Sequence, residues 1–389
     1  MESELTLMLL AVPVIFALGW LASRLDLRQW RLDERHASKS YYRGLNYLLG
    51  EQHDQAIDAF IEAVQRDPDT AELHFALGKL FRQRGEYERA VRVHEHLLAR
   101  GDLARSEQER ARFELAQDFL KAGLLDRAEA ALAQLEGTPY QMQAWLQLLS
   151  LHERAREWDK ADTIAQHLQR AGEGDFSPRR AHYLCERAEA ALVRGGQDAH
   201  QRTRELLEQA LQLAPGSARA RIQMAGLLAA QGSVGDAFEQ LALLPGTAPH
   251  AVPLIASELV RLASACGQLA RATELLEASY AAAASIDVAD ALAQARIAAG
   301  ETPDAARASY LRHMQQEPSL IAAARWLAHE PHAAANAERA TVQRSIDHAT
   351  RALARYRCAA CGFEAQGYFW QCPGCQTWES FPPRRIEEL

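Results

Sequence analysis

The chain has 389 residues, with 43 Lys and Arg against 51 Asp and Glu, and a formal net charge of -8. Hydrophobic residues make up 48% and charged residues 24%, a globular composition that excludes a disordered or collagen-like chain. The negative balance argues against a protein steered to nucleic acid by its overall charge. Six Cys are too few for a secreted protein stapled by disulfides.

The first element in chain order is an uncharged stretch at residues 5–22, which reads LTLMLLAVPVIFALGWLA. As a helix it would be about 27 Å long, close to the thickness of the hydrocarbon core of a bilayer. The acidic residues Glu2 and Glu4 precede it, where a cleaved signal peptide would have a basic region. We therefore predict a transmembrane anchor over residues 1–23, with a cleaved signal peptide as the alternative.

A basic juxtamembrane segment follows at residues 24–36. Because positively charged residues collect on the cytoplasmic side of a membrane helix, the segment predicts a single-pass protein whose C-terminal bulk lies in the cytoplasm. The cations in and just after this segment are Arg24, Arg28, Arg31, Arg35, Lys39 and Arg43, against Asp26, Asp33 and Glu34.

A helical repeat fills residues 37–355. Gly44 and Gly78 lie 34 positions apart, as do Ala56 and Ala90, and small residues at fixed helical spacing let paired helices approach closely. The pattern resembles the tetratricopeptide repeat and predicts an all-α superhelix of about eight or nine units with no sheet. The small residue that opens the second helix recurs downstream at Ala128, Ala161, Ala237, Ala272 and Ala306.

One unit departs from this period. Between Ala161 and Ala237 the chain holds a single irregular unit with extra residues around Gly195 and Gly196. Elsewhere one glycine separates the two helices of a unit, because a chain reversal needs a permissive backbone. These turn glycines are Gly85, Gly123, Gly232 and Gly267.

The first helix of each unit in such an array lines a concave face that suits an extended peptide or a partner helix. Aromatic and cationic residues at the expected positions favour an acidic or amphipathic partner. The alternative is that these residues form ordinary surface. The candidate partner groove consists of Phe75, Lys79, Arg82, Arg110, Phe113 and Gln117.

The strongest chemical motif is a pair of CxxC sequences near the end, Cys358 with Cys361 and Cys372 with Cys375, separated by ten residues. Four thiolates at this spacing can close a tetrahedron around one metal ion, with zinc favoured and iron as the alternative. A closed set of four ligands predicts a structural metal site. Residues 356–389 are too few for a stable core, so metal binding is expected to fold this module.

Two other functions receive little support from the residues. The terminal module has three Arg (357, 384 and 385) against four Glu (364, 379, 387 and 388), so we expect its aromatic residues to pack on the metal site and the last repeat helices and not on nucleic acid. The sequence contains no GxxxxGK[ST], GxSxG or HExxH motif, which argues against an enzyme.

We interpret His94 and His96 as ordinary surface residues and not as metal ligands.

An N-terminal anchor, a long tetratricopeptide array and a terminal CxxC pair, in that order, resemble the lipopolysaccharide assembly protein B family of Gram-negative bacteria. The family's tail is described as rubredoxin-like, which Cys358, Cys361 with Gly362, and Cys372-Pro373 with Cys375 match. The interval between the pairs is shorter than in rubredoxins, which argues against electron transfer by iron and leaves the structural site.

The resemblance implies a non-enzymatic adaptor in the inner membrane that regulates lipopolysaccharide biosynthesis. In that role it would help a membrane-bound ATP-dependent protease degrade the deacetylase that commits precursors to lipid A. A scaffold for lipopolysaccharide synthesis or export components is the second hypothesis, and a zinc-ribbon nucleic-acid binder is the third. Whether the repeats form a homodimer stays open.

Overall fold

A computed structural model describes residues 20, 42–47, 49–50, 52–66, 70–329 and 337–389. The chain divides into two compact units, Met1–Leu151 and His152–Leu389. The predicted anchor, residues 1–23, and the basic segment, residues 24–36, lie outside the described residues apart from Trp20. Among the described helices, none combines the length and apolar character needed to cross a bilayer.

The first unit is built from helical pairs, and from His53–Arg66 to Leu125–Ala133 each helix packs on the next one in the chain. Its core contains the fully or nearly fully buried rings of Phe60 and Phe81. The helices are α1 His53–Arg66, α2 Ala71–Gln83, α3 Tyr87–Leu98, α4 Arg105–Ala122, α5 Leu125–Ala133 and α6 Gln141–Ala155, whose last turn belongs to the second unit.

The second unit continues the pattern and buries one large apolar cluster that runs from Ala181 in α8 to Ala295 in α14. A short helical turn, Leu244–Thr247, and a 3-10 turn, Pro249–Ala251, precede α12. The helices are α7 Trp158–Arg170, α8 Ser177–Arg194, α9 Ala199–Leu213, α10 Ala218–Ala230, α11 Val234–Ala242, α12 Val252–Cys266, α13 Leu269–Ala282, α14 Ile286–Ala298, α15 Pro303–Gln316, α16 Leu320–Ala328 and α17 Ala337–Leu353.

The small residues that the sequence places at the start of each second helix are the closest packing points of the array. Each has a relative exposure of 0%, so a larger side chain would force the paired helices apart. These residues are Ala56, Ala90, Ala128, Ala161, Ala237, Ala272 and Ala306. The prediction of a tetratricopeptide-like helical array is confirmed, and the described residues between 42 and 355 contain no strand.

The interpretation of His94 as a surface residue is wrong. His94 is fully buried, and its Nδ1 lies 2.5 Å from Oδ2 of Asp118, which is also fully buried. A Cβ at Gly78 would lie 2.4 Å from the His94 ring, so the glycine leaves room for the imidazole. Asp118 also accepts a hydrogen bond from Arg82 at 2.7 Å. A buried His is stable here because the carboxylate satisfies one of its ring nitrogens.

The chain ends in a small module that contains two short antiparallel strands. Strand β1, Tyr356–Arg357, pairs with β2, Glu364–Ala365, in the register Tyr356 with Ala365 and Arg357 with Glu364. A 3-10 turn follows at Ile386–Glu388. Its small core consists of Tyr356, Cys358, Cys372 and Phe381, which is little apolar surface for an independent fold.

Candidate metal centre

The four Cys of the two CxxC motifs converge on one point of the terminal module. Their Sγ atoms all lie within 4.8 Å of one another. The distance from Cys358 Sγ to Cys375 Sγ is 3.8 Å, and that from Cys361 Sγ to Cys372 Sγ is 3.7 Å. With metal–sulfur bonds of about 2.3 Å, the edges of a sulfur tetrahedron measure about 3.8 Å. The residues present therefore fit a tetrahedral metal ion.

The surroundings shift the pKa values of two of these thiols in opposite directions. Burial raises the pKa of Cys358, but the Ser380 hydroxyl and the amide N–H groups of Cys361 and Ala360 outweigh it and hold that pKa at about 6. The amide N–H of Phe363 lowers the pKa of Cys361, yet burial and the neighbouring thiols raise it to about 12. Four thiolates this close repel one another, so a bound cation is needed to keep all of them ionised.

The turn after each CxxC motif has a left-handed residue. Gly362 has φ 78° and Gln376 has φ 61°, and these positions follow Cys361 and Cys375 directly. Gly374, in the second motif, has no such φ, and a Cβ built on it would meet Phe363 and Cys361 at ordinary contact distances of 3.5 and 3.6 Å. Only Gly362 is required by backbone conformation.

We expect Gly362→Ala to destabilise the metal module by about 1 kcal/mol, because a Cβ is strained in the left-handed region. The matched variant Gly374→Ala places a Cβ at ordinary contact distances and is expected to change little. The measurement is the rate at which each variant releases its metal to a competing chelator. Equal release from the two variants would contradict this assignment.

The module docks on the repeats through Trp378. Its indole Nε1 donates to Glu153 Oε1 at 3.0 Å, and its ring stacks on His182 with 4.7 Å between ring centroids. It also packs in an edge-to-face arrangement with the rings of Trp158 and Tyr183, with 6.0 Å between the ring centroids in each pair. Trp378 is thus held on three sides by side chains of α6, α7 and α8.

Glu379, the next residue, adds an ionic contact to this surface. His182 Nε2 donates to Glu379 Oε1 at 3.1 Å, and this hydrogen bond lowers the pKa of Glu379. Glu379 has φ 50°, an uncommon conformation for a residue with a side chain. The backbone of the module is therefore strained at the point where it meets α8.

The terminal segment makes a second set of contacts further along the repeats. Arg385 donates twice to Asp287 in α14, at 2.8 Å from both Nε and Nη2, and lies over the Tyr356 ring. Glu388 accepts the amide N–H of Ile286 at 2.6 Å. Glu388 thereby satisfies the first amide N–H of α14, which a helix leaves unpaired, and Arg385 holds the side chain of the next residue, Asp287.

Glu387 caps α16 in the same way. Its carboxylate accepts the amide N–H groups of Leu320 at 3.1 Å and Ile321 at 3.3 Å, and it also hydrogen-bonds to the Ser319 hydroxyl. A carboxylate at a helix N-terminus is stabilised by the helix dipole as well as by these bonds. The tail therefore supplies an N-cap that α16 shares with its own Ser319.

Most of these contacts involve the first helix of a pair, α8, α14 and α16. The sequence assigns that face of the array to a protein partner, but in the second unit it is in contact with the chain's own terminal module. The aromatic residues pack on repeats and on the metal module, as expected, but Trp378 reaches α6, α7 and α8, and not only the last repeat helices. No local sequence signal marks Glu153, His182 or Asp287 as docking residues, although paired Trp residues beside a Cys motif indicate that a docking surface exists.

The predicted partner groove lies on the first unit, and the structure divides its residues into two groups. Phe75 is 3% exposed and belongs to the core of the pairs, under the Arg110 guanidinium at 4.0 Å. Arg82 is held by Glu114 at 2.6 Å and by Asp118. Phe75 and Arg82 therefore support the helix packing and are not free contact residues.

The other groove residues are more accessible. Lys79 is exposed and Gln117 is half-buried. Arg110 forms an exposed ion pair with Glu72 at 2.6 Å. The Phe113 ring is half-buried and stacks on Tyr140 with centroids 5.2 Å apart.

Two family models match parts of this architecture. The tetratricopeptide repeat family matches residues 196–257, and the family described as a rubredoxin metal binding domain matches residues 356–383. A solved tetratricopeptide repeat protein from Parabacteroides merdae is similar at 13% identity and a TM-score of 0.30, over 73% of this chain and 94% of that one. Paired helices with a docked four-cysteine ribbon define a tetratricopeptide repeat protein with a rubredoxin-like zinc ribbon.

Two similar proteins of known name identify the family within this class. Lipopolysaccharide assembly protein B of Escherichia coli is 31% identical, with 98% of each chain covered. The protein of that name from Haemophilus influenzae is 26% identical, with 98% of this chain and 99% of that one covered. The chain belongs to the lipopolysaccharide assembly protein B family.

Proposed function

We propose that this chain is a membrane-anchored adaptor that faces the cytoplasm and regulates lipopolysaccharide biosynthesis without catalysing a reaction itself. The observation that carries the proposal is full-length similarity to lipopolysaccharide assembly protein B, over 98% of both chains. The helical pairs support it because such arrays bind other proteins along exposed helix faces. The closed ligand set supports it because four protein sulfurs leave no coordination position for a substrate.

The metal in this proposal is one structural zinc ion held by Cys358, Cys361, Cys372 and Cys375. A tetrahedral sulfur site accepts zinc or iron, and no other redox cofactor site is predicted from the sequence. When bound, the metal neutralises the thiolates and supplies folding energy to the module. Metal analysis of protein purified without added metal distinguishes the two ions, since iron bound by four sulfurs is coloured and zinc is not.

The finer role is to promote proteolysis of the deacetylase that commits precursors to lipid A, by a membrane-bound ATP-dependent protease. Residues 5–22 would hold the adaptor in the inner membrane, where confinement to the same surface raises the effective concentration of the partners. Because the first-helix face of the second unit contacts the terminal module, the first unit is the better candidate for the partner groove.

Depletion of the chain in cells tests this role. We expect the deacetylase level to rise while its synthesis rate stays unchanged, because the adaptor acts on degradation. A constant deacetylase level with disrupted complexes of synthesis or export components would support the scaffold hypothesis and contradict the adaptor. Salt-sensitive retention of the purified chain on nucleic acid would support the third hypothesis.

The groove has its own test on the first unit. Charge reversal of Lys79 to Glu is expected to weaken capture of an acidic partner at least fivefold without a change in the unfolding midpoint, because Lys79 is exposed. Arg82 is unsuitable for this test because its loss would leave the buried Asp118 without its cation. The control is Arg92→Glu, an exposed cation on the second helix of its pair, α3. Unchanged capture by the Lys79 variant would remove this residue from the groove.

A further inference from the structure

A cationic cleft of about 1000 Å³ lies on the second unit, between the α6–α7 turn, the end of α8 and the start of α9. Three carboxylates line it, from Glu157, Asp159 and Asp198, against five cations, so the lining has a surplus of two positive charges in a chain whose net charge is -8. The cations are Arg156, Lys160, Arg187, Arg194 and Arg202.

Three of these cations are already paired with carboxylates. Arg187 contacts Asp159 at 2.9 Å, Lys160 contacts Glu157 at 3.2 Å and Arg202 contacts Glu205 at 3.6 Å. Arg194 uses its Nε on the Ala190 carbonyl at 3.2 Å. Within the part of the chain that the structure describes, Arg156 and Arg194 take part in no ion pair. Two guanidinium groups that line the cleft therefore have N–H donors available for a ligand.

Arg156 is also in an unusual backbone conformation. It has φ 58° and directly follows the last residue of α6. At the corresponding turn, other pairs have glycine, with φ 80° at Gly85, 76° at Gly123, 84° at Gly232 and 76° at Gly267. An arginine in the left-handed region costs conformational energy that glycine would avoid. Such strain is typical of a functional position.

The opposite side of the cleft is the irregular insertion that breaks the repeat period. Gly195 and Gly196 have φ 68° and 106°, and no neighbouring atom lies within 4 Å of a Cβ built on either. Their backbone is thus open to close approach by a ligand. Insertions in repeat proteins collect on one face, often the binding face. The charge surplus, the strained arginine and the open glycine loop converge on the same space.

We infer that this cleft binds a phosphate group. Guanidinium groups make paired, charge-assisted hydrogen bonds to phosphate oxygens. The cations come from the α6–α7 turn and from α7, α8 and α9 and line one cleft, which suits a discrete anionic group better than an extended acidic peptide. The phosphate belongs either to a soluble compound or to a lipid headgroup, and Leu192 and Val193, which are 44% and 83% exposed beside the insertion, offer apolar contact for an acyl chain.

Calorimetric titration of the full-length protein with pyrophosphate at fixed ionic strength tests the site. Arg156→Gly is expected to weaken binding at least tenfold while the unfolding midpoint stays the same or rises, because glycine fits the left-handed turn. Arg194→Gln is expected to weaken it similarly. The control Arg261→Gln removes an exposed arginine paired with Glu258 elsewhere in the unit and is expected to leave binding unchanged.

Two ligands that share a phosphomonoester distinguish its source. A lipid headgroup is identified if dihexanoyl phosphatidic acid binds at least tenfold more tightly than glycerol 1-phosphate and if Arg156→Gly weakens the binding of both. Equal affinities with the same loss would identify a soluble phosphate compound. The proposal is overturned if wild-type protein binds none of the three probes, if Arg156→Gly and Arg194→Gln bind them normally, or if polyglutamate displaces pyrophosphate at lower concentration than phosphate does.

Discussion

Cys372→Ser is expected to remove the metal and to undock the terminal module from the repeats. Cys372 is fully buried in the small core of the module, and a serine oxygen is a poor replacement for a thiolate in this site. Structural zinc supplies on the order of 10 kcal/mol of folding free energy to small zinc domains, and the apolar core of this module is too small to replace that amount. Metal content should fall from one ion per chain to nearly none.

The effect is expected to spread beyond the module, because its tail caps α16 and pairs with α14 through Glu387 and Arg385. Hydrogen exchange should therefore increase at the starts of both helices. Cys266→Ser is the control, since this thiol lies in α12 outside the sulfur cluster, and it should keep its metal. Full metal content in the Cys372 variant would refute the assignment of the ligands.

Glu153→Ala is expected to destabilise the second unit by about 2–4 kcal/mol, because it removes the shared acceptor of Arg179, the Tyr183 hydroxyl and the Trp378 indole. Glu153 is 3% exposed, and its carboxylate accepts Arg179 at 2.6 and 2.5 Å, Trp378 at 3.0 Å and the Tyr183 hydroxyl. This carboxylate also raises the pKa of Tyr183, after burial itself. Denaturant unfolding monitored by tryptophan fluorescence measures the loss.

Two further variants separate docking from local stability. Trp378→Phe keeps a ring beside His182 but removes the donor to Glu153, so a loss of about 1 kcal/mol is expected. Glu258→Ala removes an exposed carboxylate paired with Arg261 and should leave the unfolding midpoint nearly unchanged. If Glu153→Ala and Glu258→Ala had similar effects, the buried cluster would not anchor the module.

The sequence predicts features that depend on local spacing. The buried alanines follow from a 34-residue period, and the sulfur cluster follows from two CxxC motifs, because in both cases the residues that meet lie a few turns or one hairpin apart. Docking could not be predicted in this way. Trp378 meets Glu153 across 225 residues, Glu379 meets His182 across 197, and Arg385 meets Asp287 across 98.

The groove residues show a different limit. Helical spacing places Phe75 and Arg82 on one face of α2 together with Lys79, but it does not indicate which of them the next pair covers. Burial of the Phe75 ring and the Asp118 carboxylate decides this, and both depend on how α4 lies against α2 and α3. Periodicity identifies a face of a helix, whereas only the neighbouring pair shows how much of that face stays accessible.

The capping of α14 and α16 by Glu388 and Glu387 also sets an order of events during synthesis. A ribosome makes Ile286 and Leu320 long before it makes these two glutamates, which lie 102 and 67 residues downstream. The first amide N–H groups of α14 and α16 therefore lack these acceptors while the chain is being made, and they gain them only when the tail packs on the repeats. We therefore expect a shortage of metal during synthesis to leave new chains without these two helix caps.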